Sequence, residues 1–187
     1  MRFKAYQYLG VSQLIFGLCL LGCFILIPHY FLDSNQGGIS NYGTEAQTSA
    51  LFILGFGSAA LGSLVAAIKL GRSVGFSSSL YWLALSYLFV LVSTFTYKQN
   101  TSQRALHELS AVVLLFAMLL VVFKLRKITR HDVRAKIALI IFMVGFLLGC
   151  ITSTDIIHML FTAEVLCALS FGYLLTRGAW LNQSRNM

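Results

Sequence analysis

Residues 46–68 read AQTSALFILGFGSAALGSLVAAI, a run without a charged side chain in which Gly55, Ala59, Ser63 and Ala67 recur at every fourth position. About 20 helical residues, rising 1.5 Å each, cross roughly 30 Å of hydrocarbon, so this run is long and apolar enough to span a bilayer. Its small residues say how it packs. Lipid tails are as apolar as leucine, and helices in a membrane therefore associate through close backbone approach rather than hydrophobic burial. A stripe of Gly, Ala and Ser, widened by Ser58, Gly62 and Ala66 and prolonged to Gly71, predicts a helix central to a bundle. Gly145 and Gly149 stand in the same relation and predict a second interface, with a homodimer face as the rival use.

Working outward, charge-free stretches occupy 5–27, 46–68, 73–97, 109–123, 137–154 and 156–176, the last interrupted by His158 and Glu164. They predict spans near 8–27, 49–70, 78–97, 105–123, 134–152 and 155–176, and thus an all-α polytopic protein, a six-transmembrane-helix bundle forming a single domain over 1–187. The first run is too long for a signal peptide, and Leu26-Ile27-Pro28-His29 offers no small-residue cleavage site. Composition agrees: 58% of residues are hydrophobic and 11% charged, and a soluble domain carries roughly 25% charged residues.

The net charge of +8 raises the question of nucleic acid, but the cations punctuate apolar spans instead of gathering on one water-facing surface, which argues against that partner. Their placement orients the chain, because cytoplasmic loops retain Lys and Arg. Arg2, Lys4, Lys69, Arg72, Lys124, Arg126, Lys127, Arg130, Arg134, Lys136, Arg177 and Arg185 fall on one side, and only Lys98 and Arg104 on the other. Both termini are expected to be cytoplasmic, in the plasma membrane, with Trp82 and Trp180 at the inner boundary. The run of Lys124, Arg126, Lys127, Arg130, Arg134 and Lys136 is a candidate contact for anionic lipid, although setting topology is the simpler and favoured account. Cys19, Cys23, Cys150 and Cys167 all lie within or beside apolar runs and read as inert thiols.

Two helix starts are legible as capping boxes, Thr44-Glu45-Ala46-Gln47 and Thr152-Ser153-Thr154-Asp155. Ionisable groups inside spans are costly and mark candidate sites. His107 and Glu108 begin the fourth span, and Asp155 and His158 the sixth, where they share a face. Glu164 lies roughly 13 Å deeper than Asp155 and about 180° around the helix. A carboxyl at that depth must be protonated, paired or hydrated. These five residues form a candidate ligand-binding or structural polar cluster at the outer side, which the long loop 28–47 could cover.

Gly38-Ile39-Ser40-Asn41-Tyr42-Gly43, followed by Phe52, resembles the first outer loop of the DRAM-like six-span proteins, where Ile-Ser-x-x-Gly precedes the second helix. His107-Glu108-Leu109-Ser110-Ala111, followed by Phe116, is similar to the start of their fourth helix. Through that superfamily the chain also resembles GPI-anchor lipid-remodelling proteins and prokaryotic six-span proteins of unknown function. The resemblance implies cytoplasmic termini and a role tied to membrane lipids or their regulation, and brings no agreed catalytic mechanism. Asn41 stands where eukaryotic members often carry an acid. Ser40, Gly43 and His107 carry over on motif match, implying that the outer loop folds over the start of the fourth span.

Three functions then compete. The first is a non-enzymatic membrane protein whose outer pocket binds a lipid head group or a membrane-protein partner, without cofactor. The second is a zinc-dependent lipid hydrolase using His107, Asp155 and His158. The third is a small proton-coupled transporter relying on Glu164.

Overall fold

The computed structural model describes residues 4–28, 38–71, 76–96, 101–152 and 159–184. Within these, the chain forms α1 (Ala5–Leu26), the single-turn α2 (Asn41–Thr44), α3 (Ser49–Leu70), α4 (Ser77–Thr94), α5 (Thr101–Thr129), α6 (Val133–Thr152) and α7 (Leu160–Ser184). All except α2 are long and apolar enough to cross a membrane, and no strand occurs among the described residues. The chain is a multi-pass membrane protein.

The helices are apolar on both faces, and what separates inside from outside is residue type: hydroxyls, small residues and a set of aromatic rings are buried, while aliphatic stripes face outward. On α1, Val11, Leu14, Leu18, Leu21 and Ile25 form an exposed aliphatic stripe suited to lipid, while Leu9, Ser12, Phe16, Cys19 and Cys23 are buried. Buried hydroxyls are frequent throughout: Ser63, Ser77, Ser79, Ser86, Ser93, Thr94, Ser110 and Ser170 all face inward. Most of these that bond locally donate to a carbonyl three or four residues back, which keeps them satisfied without water. Small side chains and internally bonded hydroxyls are what close helix contact in lipid requires.

The small-residue face of α3 packs against α1. A Cβ added at Gly55 would lie 3.1 Å from the Cβ of Cys19, and Ser58 Oγ donates 3.2 Å across to the Ser12 carbonyl. On its other flank α3 meets α4, where Ser77 Oγ donates 2.8 Å to the Ala67 carbonyl. Phe16, Phe52, Phe56 and Tyr87 knit α1, α3 and α4 together; Phe16 meets Phe56 edge-on at 5.1 Å and Phe52 stacks on Phe56 at 4.3 Å.

α3 packs extensively against α1 and α4, as its small-residue stripe predicts, and α7 joins the two ends of the bundle. This last helix contacts α1, α5 and α6, closing a ring in which α1, α3, α4 and α5 are successive neighbours. The stripe on α3 marks one tight interface, whereas α7 is welded through Gly172 beside Gln13 of α1 and Gly178 beside Leu125 of α5. Gly145 of α6 comes so near α7 that an added Cβ would stand 2.9 Å from the Ala163 carbonyl oxygen. The interface expected at Gly145 is therefore within the bundle. α6 lies along α7 and meets α5 only sparsely.

The expected capping box at 44–47 is replaced by a different start. Thr44 ends α2, and α3 begins at Ser49 after a turn in which the Glu45 carbonyl accepts the amides of Thr48 and Ser49 at 3.1 and 2.8 Å. Thr48 Oγ1 is drawn instead to the Tyr42 carbonyl, 2.7 Å away, fastening α2 to the head of α3. The second expected box falls largely outside the described residues. α5 extends beyond the predicted 105–123 because its flanking Arg, Lys and Gln are good helix formers that continue the helix past its apolar part.

At the end of the bundle where α1 begins and α7 ends, Asp132 caps α6. Its Oδ1 accepts the Ala135 amide at 3.0 Å and its Oδ2 accepts from Arg177 Nε at 2.7 Å, with the Arg177 guanidinium 4.3 Å over the Trp180 ring. The amide of Ala135, and then the guanidinium, hold the Asp132 carboxyl below its usual range. A depressed native value gives stability that is present above the ordinary aspartate range and is lost as the pH falls through the native value. Asp132→Ala should therefore cost about 1 kcal/mol at neutral pH through loss of the cap, and Asp132→Asn should blunt the loss of thermal stability below about pH 4. Melting of the detergent-solubilised protein across pH measures both.

Candidate functional site

At the opposite end, beneath α2, lies a cavity of about 220 Å³ bounded by α1, the 39–40 segment, α3, α4, α5, α6 and α7. Its walls are mainly apolar: Phe16, Phe56, Val90, Leu115, Met118 and Phe146 contribute, and Gly145, Gly149 and Ala163 leave the space that larger side chains would fill. Its polar residues are Ser40, His107 and Glu164, with Tyr87 and Cys167. Among the described residues no Lys or Arg lines it.

Each polar group is placed by a different element. Gly38 permits the backbone to reach Glu164: a Cβ there would stand 3.0 and 3.1 Å from the two carboxylate oxygens. The next amide, Ile39 N–H, donates to Glu164 Oε2 in a short hydrogen bond that joins residues 125 apart in sequence. Glu164 thus anchors the segment before α2 to α7. Ser40 follows directly and lines the cavity. Gly43 serves packing rather than the cavity, because an added Cβ would press on Thr94 Cγ2 of α4 and on the Phe52 ring of α3.

His107 is buried on α5. Its Nδ1 lies 3.1 Å from Ser93 Oγ of α4, which lies 2.7 Å from Ser110 Oγ; Ser110 in turn donates to the His107 carbonyl at 2.7 Å. This hydroxyl pair fixes the imidazole at the cavity wall and links α4 to α5. Glu108, one residue on, is turned outward by the helical step: its side chain is 63% exposed and pairs with Arg104 at 3.0 Å. It does not join the cavity. Such an exposed i,i+4 pair contributes little to stability.

Asp155 and His158 lie outside the described residues. Among the described residues no group of three His, Cys, Asp or Glu side chains converges as a metal site. Compared with protein-family models, with curated proteins and with solved structures, the chain matches none of them. What the chain does is therefore argued from the cavity itself.

Two contributors had weak signals in the sequence. Ser93 belongs to the series Ser79, Ser86, Ser93 on α4, seven residues apart and all buried, a spacing that keeps them on one face. The Ile39 amide is a backbone group and leaves no side-chain signature. Of the basic cluster, Lys124, Arg126 and Lys127 end α5, Arg130 follows it, and Arg134 and Lys136 begin α6, all at the end remote from the cavity. Lys124 Nζ reaches Ser78 Oγ at 3.3 Å, and Arg130 Nε reaches His131 at 2.7 Å.

Proposed function

We propose that this protein is a non-enzymatic six-span protein of the plasma membrane that holds the head and adjoining chain of a membrane amphiphile in the cavity beneath α2. With the termini cytoplasmic, as the Lys and Arg distribution favours, that cavity lies in the outer half of the bilayer. The observation that carries the reading is the cavity's own polarity: Ser40, His107 and Glu164 at the α2 end, and apolar side chains from there inward to Met118. His107 and Met118 are eleven positions apart on α5, roughly 16 Å along the axis. Pockets for small ligands combine apolar walls with a few placed polar groups in this way. The basic residues at the other end complement the role by resting against anionic lipid, each worth on the order of 1 kcal/mol near a charged leaflet.

The test is lipid analysis of the full chain extracted from membranes in mild detergent. About one amphiphile per chain is expected to co-purify, and Ala111→Trp, which enlarges an exposed wall residue without disturbing the core, should reduce it several-fold. A folded chain that carries no amphiphile and takes none up from mixed-lipid vesicles overturns the proposal.

A further inference from the structure

Resting on that amphiphile-binding reading, we infer that the ligand is a single-chain amphiphile with an uncharged, hydroxyl-bearing head, of the monoacylglycerol or long-chain alcohol class, and that it enters sideways between α5 and α6.

The route follows from helix packing. α5 and α6 both line the cavity, through Ala111, Val112 and Leu115 on one side and Gly145, Phe146 and Gly149 on the other, yet the two helices barely touch each other. Val112 is a wall residue and is also 47% exposed on the outer surface of the bundle. The cavity is thus continuous with the lipid-facing side along this seam. α2 and its neighbours lie over the opposite approach, with Ile39 tied to Glu164 and Thr48 to Tyr42.

Size sets the number of chains. A void of about 220 Å³ exceeds the roughly 150 Å³ that encloses a benzene ring and falls below the 300–1,000 Å³ of drug-sized sites, so it accommodates part of one alkyl chain and a small head, not two chains. Charge sets the head group. A buried phosphate or carboxylate needs a cationic partner; among the described residues no Lys or Arg lines the wall, which already holds the Glu164 carboxyl, and His107 is engaged at Nδ1 by Ser93. Arg104 is exposed beside Glu108, and the Lys124–Lys136 group sits at the far end. What the wall offers is hydrogen bonding: with Oε2 occupied by the Ile39 amide, Glu164 presents Oε1 to a ligand hydroxyl, as an acceptor when ionised and as a donor when protonated, and a ligand hydroxyl can serve either way, while Ser40 lines the same cavity.

Radiolabelled monooleoylglycerol and oleate, offered separately to the full chain in detergent at a pH where oleate is ionised, test the assignment by retained label. Retention of monooleoylglycerol should exceed that of oleate about tenfold or more, reflecting the cost of burying an unpaired anion. Ser40→Lys should raise oleate retention about tenfold by supplying the missing cation, and Gly149→Leu, at the seam, should lower retention of both. Equal retention of the two ligands by the native chain, or no gain of oleate in Ser40→Lys, overturns the head-group assignment while amphiphile binding stands. Unchanged retention in Gly149→Leu overturns the lateral route. Retention of neither ligand, together with none of the mixed-vesicle lipids, removes the amphiphile-binding reading and this inference with it.

Discussion

Gly62→Val is expected to leave almost no monodisperse protein after detergent extraction, with a stability loss of about 3 kcal/mol or more. A side chain at 62 would begin inside the Ser12 side chain of α1 and 3.2 Å from the Tyr8 carbonyl. Neither neighbour can yield cheaply, because the clash involves the Ser12 Cβ and a main-chain oxygen rather than the tip of a flexible side chain. The whole α1–α3 seam would have to part, and in lipid no other force recovers the lost contact. Two comparisons isolate the cause. Ser12→Gly combined with Gly62→Ala should restore most of the extractable fraction, and Gly57→Ala, where an added Cβ meets nothing within 4 Å, should be neutral or stabilising by about 0.5–1 kcal/mol. Size-exclusion profiles and melting curves of the three variants read the result.

Gly145→Val should be the next most damaging change, at about 2–3 kcal/mol, and should act on the cavity as well as on stability. The added Cβ would stand 2.9 Å from the Ala163 carbonyl oxygen, 2.9 Å from Leu166 Cβ and 3.0 Å from the Cys167 amide nitrogen. Two of these are backbone atoms of α7, so relief requires α6 to lift away as a body. Ala163 and Cys167 are themselves wall residues, and the lift would widen the void and cost it bound amphiphile. Gly149→Ala, one turn along, places its Cβ at an ordinary 3.8 Å from Ala163 and should change melting little. A Gly149→Ala variant as unstable as Gly145→Val would contradict the account.

Much of this architecture could be read from residue order because the signals are local. A charge-free run long enough to span hydrocarbon becomes a helix with few alternatives, since unpaired backbone groups are too costly in lipid. Gly145 announced a tight interface, although not which helix it met. The site was harder. His107 and Glu108 are adjacent, and only the helical step decides that one faces the cavity while the other faces out. Glu164 was conspicuous as an intramembrane acid, but its partner is a main-chain amide 125 positions away, a pairing that no periodicity encodes. The ring-closing place of α7 was hidden for a similar reason: its small residues Gly172 and Gly178 are not four apart, and each serves a different neighbour.

The ring-closing α7 is also the last of the six spans to leave the ribosome. Until it arrives, α1 has no neighbour on its Gly10 and Gln13 side, and α6 has nothing to lie along. Biogenesis of the protein accordingly turns on its last helix: a nascent chain arrested before residue 160 holds five spanning helices as an open arc, and insertion-stage quality control would encounter that arc rather than a finished bundle.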